Sequence, residues 1–282
     1  MIGRLVSSPT QRRQFNLRLR YAAIVIVLVV YLLPVYWIAT MSLKLPVETF
    51  AYPPVFLFTP TWENFEAAFT KANFFRLCFN SGVAAIGNTF LAVAIGSLAA
   101  WGISRHRIGG RWLLLGILSL RMIPVITIVI PLFLLFVQLR LVDNLLTLPI
   151  AYLVFNLPFV IWMMKAFIDD IPYEIEESAI LDGCSTPNLL VHVVLPLALP
   201  GLVATSIFCF IFAWNELVIA TVLTRVASRT AVVGLTTFIA QESEINWGAL
   251  SAASTIVMTP PLVLAVLLRK YLIRGLTAGA LK

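Results

Sequence analysis

The chain has 282 residues, 60% of them hydrophobic and only 12% charged, with a formal net charge of +7 and a mean hydropathy of +0.96. A soluble globule could not withdraw so much hydrocarbon from water, so the composition excludes a soluble enzyme or binding module and points to a bilayer. No aromatic-interleaved basic patch of the kind nucleic acid requires is visible; the positive charge reads as membrane topology and contact with anionic lipid.

Six runs are long enough to cross roughly 30 Å of hydrocarbon as helices of about 20 residues: 21–43, 79–103, 112–139, 145–168, 201–224 and 250–268. They divide the chain into a leading segment 1–20, a membrane domain 21–268 with an internal polar loop 169–200, and a tail 269–282. The first run follows Arg12, Arg13, Arg18 and Arg20 as in a signal peptide. It is too long for one and lacks a small-residue cleavage site, so it is expected to stay attached. Basic residues beside membrane spans are retained on the cytosolic side. With the N-terminus inside, thirteen Lys and Arg fall on cytosolic segments against six outside, with Arg121 within a span. Both termini are therefore expected in the cytosol.

After the first span, Pro46, Pro53, Pro54 and Pro60 precede Trp62, Phe65, Phe69 and Ala72 at helical spacing, which predicts an amphipathic helix over 62–75 lying on the outer interface. The second span sets Ala92, Gly96 and Ala100 four apart, a face against which a neighbouring backbone can approach closely. The third carries Pro124 and Pro131, and the fourth Asn156 and Pro158. Each proline frees a carbonyl that needs a partner, so such helices bend and line cavities.

Between the fourth and fifth spans lies EESAILDGCSTPNLLVHVVLPLALPG. Pro172 can open a short helix at its first position, with Glu174, Glu176 and Glu177 complementing the positive end of its dipole. Gly183 can close it in the left-handed conformation. Ser185 or Thr186 can cap a second helix opened by Pro187, with an apolar stripe of Leu189, Leu190, Val193 and Val194 running to Pro196. Two short helices around a glycine turn, acidic in front and greasy behind, form a shape suited to docking in the cytosol.

Charge recurs where the bilayer should be. Arg121 lies about ten residues into the third span and Glu216 about fifteen into the fifth, roughly 15 and 22 Å from the inner face. A lone charge costs about 2.5 to 3.5 kcal/mol at the bilayer centre on insertion scales. Both are expected to face the interior or a wet cavity, where they can pair. Pro124, Asn156, Asn215 and these two charges are the candidates for a translocation path. Past the fifth span, the segment 225–248 is too long for a hairpin and mixes Arg229, Gln241, Glu242, Glu244, Asn246 and Trp247, groups suited to sugar although common in solvated loops. Cys78, Cys184 and Cys209 fall in different compartments, and His106 and His192 lie in different loops, so no disulfide framework or zinc spacing is present.

The polar loop resembles the cytoplasmic signature of permease subunits of bacterial ABC importers, E-A-A, three residues, G, nine residues, I-x-L-P. The match runs through Glu177, Ser178, Ala179, Gly183, Val193, Val194, Leu195 and Pro196, with Ser178 for the first alanine and Val193 for isoleucine. RMIP at 121–124, FAWNE at 212–216 and RGLTAGALK at 274–282 are similar to the carbohydrate branch, in particular the maltose-type second permease subunit. The resemblance implies an all-α fold of six spans, the transmembrane domain of a type I ABC importer, in the bacterial inner membrane.

It also implies partners: a second related permease, two cytosolic ATPase subunits carrying ATP and Mg, and an extracytoplasmic sugar-binding protein. By resemblance the loop docks on an ATPase through Glu174, Glu177, Ser178, Ala179, Asp182 and Gly183, held to the bundle by Leu189 and Pro196. The segment of Gln241, Glu242, Glu244, Asn246 and Trp247 reaches toward the binding protein, and the tail meets the ATPases. No G-x-x-x-x-G-K-[ST] occurs, so the expected role is transport by alternating access with energy and cofactors on a partner. The rivals are an intramembrane transferase, against which stands the lack of paired carboxylates or a Ser/His/Asp set in a span, and a stand-alone secondary transporter, against which stands the lack of a visible inverted repeat.

Overall fold

The computed structural model describes residues 9–71, 73–106, 108–239 and 246–271. In chain order the helices are α1 (Pro9–Met41), α2 (Pro46–Thr49), α3 (Glu63–Lys71), α4 (Phe74–His106), α5 (Gly110–Ser119), a 3-10 turn (Leu120–Met122), α6 (Val125–Gln138), α7 (Thr147–Ala151) and α8 (Leu153–Asp169). There follow α9 (Tyr173–Leu181), α10 (Thr186–Leu189), a π turn (Leu190–Val194), α11 (Leu195–Leu197), α12 (Leu199–Trp214), α13 (Val218–Leu223), α14 (Ala231–Thr237) and α15 (Trp247–Leu267). The described residues contain no strand.

Two compact units form, one from residues 9–68 with 246–255 and one from 69–239 with 256–271. In the first, α1 keeps its apolar side chains almost wholly exposed from Leu19 to Leu33, as a helix with hydrocarbon around it would. Past α1, Lys44 is buried, its ammonium donating to the Val55 carbonyl at 2.6 Å and sitting 5.2 and 5.1 Å over the rings of Trp37 and Phe58. The predicted amphipathic helix is α3. Trp62, just before it, is exposed while Asn64 and Ala68 are buried, and the Asn64 amide donates to the carbonyls of Ser42 and Lys44. Ala72 lies outside the described residues.

The second unit is built on α4. Ala92 and Ala100 are fully buried, and a Cβ at Gly96 would stand 2.5 Å from Val160 Cγ1 on α8. The small-residue face of the sequence is thus the seam where two helices close. An apolar cluster near the end of α4 joins Trp101, Phe159, Met164, Ile168, Leu190 and Val194. Another, toward its start, joins Ala84, Phe136, Leu148, Tyr152, Trp214 and Ile219. Asn88, Asn156 and Cys209 lie between them along α4, α8 and α12. The Asn156 amide donates to Asn88 Oδ1 at 2.5 Å and to the Cys209 carbonyl at 3.2 Å, and Asn88 donates to the Pro149 carbonyl at 2.8 Å. Both side chains are completely buried, so bonds between helices replace the water that hydrocarbon cannot supply.

Among the described residues, three helices are long and apolar enough to cross a membrane, the stretches Arg13–Met41, Phe74–His106 and Trp247–Leu267, with up to five candidates if each bent pair counts as one. The third span, whose prolines predict a bend, is broken: Trp112–Met122 and Val125–Gln138 meet at 90°. The break falls at Ile123, whose extended backbone follows from Pro124, the N-cap of α6. Pro131 and Pro158 instead lie inside continuous helices. The expected fifth span is interrupted between Trp214 and Val218.

Candidate functional site

The loop expected to dock forms α9 and α10 around a tight turn. Pro172 is the N-cap of α9, one position before the one the sequence suggested, with extended backbone (φ −57, ψ 133). Gly183 has φ +84, the left-handed state that glycine alone takes without strain. Ser185 stands at the N-cap of α10, as predicted, and Pro187 is the second residue of the helix, one position after the one the sequence suggests. Leu189, Leu190 and Val194 are buried and Val193 packs against the same cluster, fixing the greasy back of the bracket to the bundle.

The acidic front needs one correction. Glu174, Glu177 and Asp182 are exposed, but Glu176 is 1% exposed. Its Oε1 receives the Arg105 Nε at 2.6 Å and its Oε2 the Trp101 indole N–H at 3.2 Å. Arg105 Nη2 donates on to the carbonyls of Ile168 and Ile171, each at 2.9 Å. Helical phase explains the division: at 100° per residue Glu174 and Glu177 share a face, and Glu176 points away from it. The i, i+3 spacing of Glu174 and Glu177 carries this division in the sequence. Ser178 Oγ donates to the Glu174 carbonyl at 2.8 Å, and Ala179 packs against the core. Pro196 begins the turn of α11 that leads into α12.

The pairing open to Arg121 and Glu216 is not made among the described residues. The Arg121 guanidinium lies 4.8 Å over the Phe159 ring and 5.1 Å over that of Phe212, a cation–π arrangement. The Glu216 carboxylate caps α13, accepting from the N–H groups of Ile219 and Ala220 at 2.9 Å each. Each charge has met its need separately, one with aromatic faces and one with the orphan donors of a helix start. Asn215 is exposed and donates to the Ile211 carbonyl at 2.9 Å, Pro124 is exposed, and Asn156 is held in the buried node with Asn88. None of these contacts joins one of the five path candidates to another.

At the opposite end of α4 from Arg105, a second organised loop appears that the sequence did not suggest. The Asp143 carboxylate accepts from the backbone N–H groups of Arg225, Val226, Ala227 and Ser228 at 2.9, 3.2, 3.0 and 3.0 Å and from Ser228 Oγ at 2.8 Å. Asn80 donates to the carbonyls of Ala227 and Arg229 at 3.1 and 2.8 Å. Ser81 Oγ accepts from Ala231 N–H. Burial acts to raise the Asp143 carboxyl, but the bonds from Arg225, Ala227 and Ser228 outweigh it and hold the group well below the ordinary carboxylate range. Of the segment expected to reach a binding protein, Gln241, Glu242 and Glu244 lie outside the described residues. Asn246 Oδ1 accepts from Ala249 N–H at 2.9 Å at the start of α15, and Trp247 meets Phe50 edge to face at 6.2 Å.

Helices long and apolar enough to cross a membrane, with an organised polar bracket between two of the apolar stretches, suit a membrane permease component. The family comparison agrees. Residues 92–278 match the model of the binding-protein-dependent transport system inner membrane component, and the chain belongs to that family. It is 36% identical to a probable ABC transporter permease protein of Sinorhizobium fredii over 90% of this chain and 91% of the other. It is 35% identical to a trehalose transport system permease protein of Mycobacterium tuberculosis over 94% and 98%. Among solved structures it is similar to a chain of a bacterial ABC transporter involved in import of the acidic polysaccharide alginate, with a TM-score of 0.77, 21% identity and coverage of 95% and 99%. The fold is that of the type I ABC importer transmembrane domain, the chain is a membrane-embedded transport subunit, and family membership disfavours the intramembrane transferase and the stand-alone secondary transporter.

Proposed function

We propose that the chain is a permease subunit of an ATP-driven carbohydrate importer, coupled to cytosolic ATPase subunits through the bracket. The observation that carries this reading is the division of the bracket: Glu177 and Glu174 of α9 are exposed on one face while Leu189, Leu190 and Val194 behind the Gly183 turn are buried in the bundle. A free acidic face on a fixed back suits a basic cleft on a partner, which Glu177 would meet with its charge. The relative from Mycobacterium tuberculosis is named for trehalose, which supports a sugar of di- or oligosaccharide class, and the motifs at 121–124 and 212–216 support the same branch.

In this reading both termini are cytosolic, and the membrane domain 21–268 of six spans lies between a leading segment 1–20 and a tail 269–282 that meets the ATPases. A second related permease completes the path, two ATPase subunits carry ATP and Mg, and an extracytoplasmic protein delivers the sugar near 241–247. Arg121, Pro124, Asn156, Asn215 and Glu216 belong to the translocation path. The test is Glu177→Arg in the reconstituted complex. ATP-driven uptake is expected to fall by at least about tenfold, the scale of a reversed charge at a close interface, with membrane insertion unchanged. Wild-type uptake by that variant would refute the coupling role.

A further inference from the structure

We propose that Arg105 and Glu176 are the positioning pair through which displacement of the bracket reaches the membrane helices, an inference that rests on the coupling reading above. Glu176 is the buried residue of α9, so the grip of this helix on the bundle passes through a carboxylate. An apolar side chain would fill the same place without the desolvation cost of burying charge. What the ion pair adds is direction.

Apolar contacts resist compression and yield readily to sliding and separation, whereas a short charge-assisted bond in a dry site resists being pulled apart. The pair is 2.6 Å long, with side chains 11% and 2% exposed. The Arg105 fork holds three segments at once: α9 through Glu176, the end of α8 through the Ile168 carbonyl, and the connecting turn through the Ile171 carbonyl. Trp101, one turn earlier on α4, fixes the second carboxylate oxygen. Ser104 and Lys165 both bind Asp169 beside it, at 2.5 and 2.6 Å.

α4 then carries the load away from the latch. From Arg105 back to Asn80 is about 37 Å at 1.5 Å per residue, enough to cross the hydrocarbon. Asn80 at the far end holds the carbonyls of Ala227 and Arg229. One helix thus joins the bracket to the loop braced by Asp143, and the pair lets it be pulled as well as pushed.

The test measures uptake and ATP hydrolysis in the same proteoliposomes, using the full complex with its ATPase and permease partners. Glu176→Gln and Arg105→Ala are expected to assemble and hydrolyse ATP while substrate moved per ATP falls by about tenfold. Arg105→Lys keeps the charge without the fork and is expected to fall between them and wild type. Replacing both residues by Met removes both buried charges together, so that neither ion is left without its counter-charge although the Trp101 indole N–H and the Ile168 and Ile171 carbonyls lose a partner, and abundance should recover in part while the ratio stays low.

A wild-type ratio in the assembled single variants, or in the double Met variant, would reduce the pair to a packing element. If the single variants do not accumulate, Arg105→Lys and Glu176→Asp supply the ratio. A wild-type complex without ATP-driven uptake would sink the coupling reading instead. Hydrogen exchange of the amides of 173–181 in the isolated chain then still decides whether Glu176 holds α9: faster exchange in Glu176→Gln is expected, and unchanged protection overturns it.

Discussion

Gly96→Ala tests the seam on which the bundle is assembled. The new Cβ would stand 2.5 Å from Val160 Cγ1 and 2.9 Å from Val160 Cβ. Val160 is β-branched within a helix, so its side chain cannot rotate aside, and its Cβ is one bond from the backbone. α8 must therefore back away from α4. Separating packed surfaces by 0.5–1 Å forfeits about a quarter to a half of their dispersion attraction, and overpacking of this kind costs about 1–3 kcal/mol. Alanine itself favours the helix by up to about 1 kcal/mol, which would hide part of that cost.

Gly82→Ala removes this ambiguity. It lies in the same helix and its Cβ would meet nothing within 4 Å, so it gains the propensity without the clash. The difference between the two variants isolates the seam and should be about 1–3 kcal/mol, read as thermal unfolding in detergent. Adding Val160→Ala, which removes Cγ1 and leaves Cβ, should recover part of the loss. Equal stability of Gly96→Ala and Gly82→Ala would refute the close packing of α4 on α8.

Asp143→Asn should free the turn at 225–228, because an amide offers one accepting oxygen and turns a donor toward the N–H groups. With the site partly solvated, the local loss is about 1–3 kcal/mol, read as faster amide exchange in 225–228. The folded carboxyl lies below its unfolded value of about 3.9, so its stabilisation is complete above that pH and is lost as pH falls toward the folded value. Acid should therefore loosen this turn in the wild type and have little further effect in Asp143→Asn; an equal acid response in both would rule the clamp out. Exchanging Arg121 and Glu216 is expected to restore no uptake beyond the single variants, because one stacks on Phe159 and Phe212 while the other caps α13. Recovery in the swapped protein would show that they do pair.

Local chemistry determined much of the bracket. The left-handed Gly183, the helix start at Pro172 to within one position, the cap at Ser185 and the apolar stripe behind them are set by residues within a few positions of one another, so the sequence carried them. The same holds for the face of Ala92, Gly96 and Ala100, where the absence of side chain is itself the signal for close approach. Composition alone was enough to require a bilayer.

The partners of charged and polar groups were decided elsewhere in the chain. Glu176 meets Arg105 across 71 positions and Asp143 meets Arg225 across 82, and no local pattern marks either pair. Arg121 and Glu216 look like mates because both are ions in hydrocarbon, yet aromatic faces and helix-end N–H groups satisfied each of them independently. The 90° break before Pro124 likewise needed the fold, since Pro131 and Pro158 sit within helices that continue. A sequence fixes which groups need a partner; only the packing of α4, α8 and α12 determines which ones come within 3 Å.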